Sequence, residues 1–120
     1  MATSSPIWAY LFGAFLILHG LGHAVGITLG NRVFGVLWLL GLAGFVLAGL
    51  AFLGFAVPRE WWRPLTVASA VISIILIVLF WTSVSGSWGG GPKSNALIAN
   101  IGILLAVLWW HWPAPLTRVP

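Results

Sequence analysis

His19 and His23 are the residues of this chain best suited to chemistry. They stand four apart in an apolar run, so on a helix they share a face, about 6 Å apart along the axis. Within a hydrocarbon layer an ionisable side chain reads first as a functional site. A histidine pair at this spacing can chelate a transition metal, but a closed site needs further ligands from other segments. The chain has no Cys and a single acid. Its third histidine, His111, falls towards the opposite end of its own helix, ~15 Å or more away in depth, so no metal site is expected. One axial histidine suffices for a tetrapyrrole, which leaves haem or chlorophyll open, and a polar pocket at this depth could also hydrogen-bond a quinone carbonyl. The plainer possibility is two neutral rings held in the core, each needing one acceptor and one donor. Ser73 lies at the depth expected of His19, and Asn100 at that of His23. The candidate ligand-binding set is therefore His19, His23, Ser73 and Asn100, with His19 directed to Ser73 and His23 to Asn100. No catalytic residue is assigned and no cofactor is required.

The elements that must hold these residues are those of a membrane protein. Of the 120 residues, 61% are hydrophobic and 5% charged, against about 25% charged in a soluble domain. Too few charges remain to cover a water-facing surface, which excludes a soluble globular protein and disorder alike. The net charge of +4 reflects a shortage of acids. Arg32, Arg59, Arg63, Lys93 and Arg118 are scattered singly, whereas nucleic-acid binding needs clustered cations. The absence of Cys rules out disulfide and thiol chemistry. Glu60 lies between Arg59 and Arg63 and reads as a loop ion pair, so an exporter driven by an intramembrane acid is not expected. No Ser-His-Asp set, HExxH, CxxC or P-loop occurs.

About 20 apolar residues span a bilayer, and four segments qualify: 7–29, 33–57, 65–84 and 96–112. The first reads as a retained span, because residues 1–10 carry no Lys or Arg and the apolar stretch outlasts a signal peptide. The expected fold is an all-α integral membrane protein, an antiparallel up-down-up-down bundle of four transmembrane helices forming a single domain. An even span count puts both termini on one side with Arg59, Arg63 and Arg118, and the positive-inside rule makes that side cytoplasmic. The same threading gathers Trp8, Tyr10, Trp61, Trp62, Trp109, Trp110 and Trp112 on that side as an interfacial aromatic belt.

Helices in lipid associate through close backbone approach and polar contacts. Gly22 and Gly26 in the first span are expected to form packing faces, as are Gly41, Gly44 and Ala48 in the second and Gly102 in the fourth. Thr66, Ser69 and Ser73 supply a small polar stripe in the third. Leucine at Gly44 should disrupt packing, and at Gly54 it should matter less.

The first span carries Gly13, Phe15, His19-Gly20, His23 and Gly26, and resembles the first helix of DoxX-like membrane proteins. In that family a Gly, a Phe and a His-Gly or similar pair are followed by a Lys and another Gly. Here His23 takes the place of the Lys, and Trp8-Ala9-Tyr10 stands where an Arg often opens the helix. Chain length, four spans and Gly41, Gly44, Gly49 and Gly54 in the second span fit the same group. The resemblance implies a four-helix bundle in a bacterial-type inner membrane and, for some members, a part in quinone-linked oxidation or membrane redox complexes. Two functions follow: an accessory or scaffold subunit packing against a membrane-protein partner or its own copies, or a redox-linked protein binding quinone or tetrapyrrole at the helix-1 histidines.

Overall fold

The computed structural model describes residues 6–27, 32–79 and 92–111. All regular structure among them is helical: α1 (Pro6–Leu21), α2 (Arg32–Leu53), α3 (Trp62–Leu79) and α4 (Pro92–Leu104). α1 tightens into a 3₁₀ turn over Gly22–Gly26, a second 3₁₀ turn (Arg59–Trp61) leads into α3, and α4 widens into a π-helix over Leu105–Trp110. Three apolar helices, Pro6–Ala24, Arg32–Leu53 and Arg59–Leu79, are long enough to cross a membrane, and the fourth, Leu97–Trp110, is shorter.

Local chemistry sets the ends. α2 was expected to reach residue 57 but stops at Leu53, because Gly54 enters the left-handed region at φ 82°. There Gly54 N–H donates to Ala51 O at 3.1 Å and Phe55 N–H to Leu50 O at 2.8 Å, the paired bonds of a Schellman cap. A side chain at Gly54 is therefore strained by the backbone itself. α3 begins three residues before the expected 65, because Pro64 sits in its first turn, where a missing N–H costs nothing. α4 begins at Pro92 rather than 96, with proline at the favoured first helical position. Residues 28–31, 80–91 and 112–120 lie outside the described residues, with the expected span ends at 29, 84 and 112.

Successive helices pack antiparallel. Phe12, His19 and His23 of α1 and its 3₁₀ turn meet Phe52, Phe45 and Trp38 of α2, in reverse order. Phe52 then meets Trp62 at the start of α3, while Arg63 and Ser73 of α3 meet Val107 and Asn100 of the last helix. One apolar cluster, Leu16, Phe45, Ala48, Ala70, Ile103 and Val107, draws on all four helices. The outward faces stay apolar, with Leu18, Val33, Leu79, Ile98 and Trp109 among the most exposed.

The glycines divide sharply. A Cβ on Gly20 would come within 2.8 Å of Phe45 Cβ and 3.0 Å of the Leu42 carbonyl oxygen. On Gly49 it would meet Ile17 at 2.6 Å and the Gly13 carbonyl oxygen at 2.8 Å. These positions close the α1–α2 seam. Gly44 makes room for the Ser69 hydroxyl and Gly41 for the His23 ring, and Ala48 is fully buried. Gly22 and Gly102, expected to pack, have nothing within 4 Å of a built Cβ. Gly22 lies where α1 tightens, and Gly102 faces outward from α4. The surroundings of Gly26 lie outside the described residues.

Candidate functional site

Each of the four expected residues is placed by its helix. His19 occupies the last α-helical turn of α1 and His23 the 3₁₀ turn beyond it, Ser73 lies eleven residues past the start of α3, and Asn100 lies eight past the start of α4. The structure brings them together, but with the pairings exchanged. His19 Nε2–H donates to Asn100 Oδ1 at 2.9 Å, and Ser73 lies on His23 Nε2 at 2.6 Å. The exchange follows from where α4 starts. Beginning at Pro92, it carries Asn100 one turn deeper than a start at 96 would, to the level of His19. The 3₁₀ turn also leaves His23 Nδ1–H donating to the His19 carbonyl at 3.0 Å, which swings its Nε2 to Ser73.

The bonds form a single directed ring. A carbonyl oxygen can only accept, so His19 donates from Nε2 and His23 from Nδ1. Asn100 Nδ2–H then donates to Ser73 Oγ at 2.8 Å. Ser73 Oγ–H passes its one proton to His23 Nε2, the remaining acceptor on that ring. Turning the Asn100 amide the other way would take the Ser73 proton and oblige His23 to donate from both nitrogens as a cation. Two neutral rings therefore select the observed amide orientation, with His19 and His23 as opposite tautomers.

Aromatic rings enclose the group. Phe15 stacks on His19 at 5.5 Å, Phe45 meets it edge-on at 4.8 Å, and Trp38 lies 5.7 Å from His23. Ser73 and Asn100 are fully buried and His23 is 4% exposed, whereas His19 is only partly buried. The enclosing aromatics were not singled out by type, since Phe and Trp recur all along the chain. Among the described residues, no donor meets Nδ1 of His19. Tetrapyrrole ligation through Nε2 of either ring would require breaking the hydrogen-bonded ring. Among the described residues, no group of three or more His, Cys, Asp or Glu is placed to hold a metal ion.

A second polar contact fastens the other end of the last helix. Arg63, one of the two arginines beside Glu60 in the expected loop ion pair, donates from Nη2 to the Val107 carbonyl at 3.1 Å and to His111 Nδ1 at 2.8 Å. The wide turn of the π-helix frees that carbonyl, and His111 closes the helix in the left-handed region at φ 51°. Glu60 is exposed.

No family model, curated protein or solved structure matches the chain.

Proposed function

We propose that the chain is a small DoxX-like protein of a bacterial-type inner membrane, an antiparallel bundle of four transmembrane helices with both termini cytoplasmic. In this reading it serves as an accessory or scaffold subunit, bound to a larger membrane complex or to its own copies. The observation that carries it is the closed ring of His19, Asn100, Ser73 and His23. Four buried or partly buried polar side chains hydrogen-bond one another across α1, α3 and α4, as an interior clasp requires. What they leave outside is apolar surface for lipid and partner, including a shallow groove along Ile101, Leu104, Leu105, Leu108 and Trp109.

One observation favours a second reading, a quinone- or tetrapyrrole-linked redox protein. His19 is partly exposed, and among the described residues no donor meets its second ring nitrogen. A visible absorption spectrum of the purified protein, with quantitative quinone extraction, separates the two. The scaffold reading expects no Soret band and no stoichiometric quinone, and it expects His19→Asn to leave the fold intact. A chromophore or bound quinone that His19→Asn removes would establish the redox reading instead. Single cysteines at Ser4, Ser87 and Thr117 test the topology with an impermeant thiol reagent on intact cells. Labelling at Ser87 alone is expected, and labelling at only one terminus contradicts four spans.

A further inference from the structure

The guanidinium of Arg59 leads furthest. Its Nε and Nη2 atoms are both buried, and among the described residues neither has a hydrogen-bond partner. These two atoms form one edge of the guanidinium, the fork that grips two oxygens of a carboxylate or phosphate in parallel. A buried charged donor without an acceptor is costly, so an empty fork marks a place for an oxyanion. Among the described residues no acidic side chain fills it. The chain holds a single Asp or Glu, and that residue, Glu60, is exposed and next in sequence. The guanidinium of Arg63 is spent on Val107 and His111, which leaves Arg59 as the available cation in this turn.

The surroundings indicate the source of the oxyanion. Arg59 opens the turn that enters α3, beside Trp61, which is 53% exposed. The antiparallel order brings Trp8, Tyr10, Trp109 and Trp110, all exposed, to the same end of the molecule. Such a belt sits at the headgroup level of a bilayer. Arg59 itself is only partly buried, and a long side chain of this kind can carry its charged head to that level.

We propose that Arg59 is the core of a site for the phosphate of an anionic phospholipid, gripped through Nε and Nη2. This rests on the membrane reading above. The test uses full-length protein in mild detergent. Binding and melting temperature are measured with phosphatidylglycerol, phosphatidylcholine or inorganic phosphate, for wild type, Arg59→Lys, Arg59→Gln and Arg32→Gln. Wild type and Arg32→Gln should bind phosphatidylglycerol selectively and melt at a higher temperature with it. Arg59→Lys keeps the charge but loses the fork, and should bind about tenfold more weakly, the worth of a lost charge-assisted hydrogen bond. Arg59→Gln should show no lipid-dependent shift. Undiminished binding by Arg59→Lys overturns the fork, and equal stabilisation by inorganic phosphate overturns the lipid as its source. Equal binding of both lipids by wild type overturns the site altogether. Recovery of the protein in the aqueous fraction without detergent would instead refute the membrane reading.

Discussion

The α1–α2 seam and the attachment of α4 are built on different physics. Along α1 and α2, Gly20 and Gly49 bring the backbones so close that a single added carbon would strike main chain. α4 has no such contact at Gly102. It is held by side chains: Asn100 reaching His19 and Ser73 at one level, and Val107 and His111 receiving Arg63 at the other. On the proposed membrane reading, where apolar surface gains little by facing a neighbouring helix, these are the two means of association. The seam is rigid because it leaves no space. The α4 attachment is specific because Asn100 and Arg63 each bond two groups that only this placement of the helix brings within reach.

Filling the seam should have the largest effect. Gly49→Leu should cost about 3 kcal/mol or more, since Ile17 and the Gly13 carbonyl cannot both withdraw. Thermal unfolding in detergent should show the loss, and tolerance would mean that the seam is looser than drawn. The α4 attachment should yield next. Asn100→Leu strands the His19 Nε2–H and removes a donor from Ser73, for about 1–2 kcal/mol, since hydrogen bonds between membrane helices are individually modest. Hydrogen exchange should rise first in α4. Uniform loosening of all helices would contradict a separately held α4. The smallest effect sharpens the contrast: Gly102→Ala adds a methyl to open space and should raise stability by up to about 1 kcal/mol through helix propensity alone. A drop in its melting temperature would show that Gly102 does pack.

The sequence revealed the helices and the members of the polar group more readily than their detailed fit. Apolar runs and intervening prolines located the helices, and the scarcity of intramembrane polar residues singled out His19, His23, Ser73 and Asn100. The pairing was not legible, because it turns on a single helical turn at the start of α4, and Pro92 reads equally well as loop or as first helical residue. Nor was the role of each glycine. Helices that are apolar all round give no periodicity to mark the inner face, so Gly20 and Gly49 inside look like Gly22 and Gly102 outside. Gly54 was obscured in the same way, a cap among packing glycines. In sequence Arg59 and Arg63 both stand beside Glu60, but the π-turn presents to Arg63 a carbonyl that no residue type announces.

His19, Asn100, Ser73 and His23 form one closed, neutral hydrogen-bonded ring. The most direct measurement is nitrogen-15 NMR of the histidine side chains in bilayers at neutral pH, assigned through His19→Asn and His23→Gln. The ring predicts protonation of His19 at Nε2 and of His23 at Nδ1, two opposite neutral tautomers in one protein. The same tautomer at both positions, or an imidazolium at either, would contradict it.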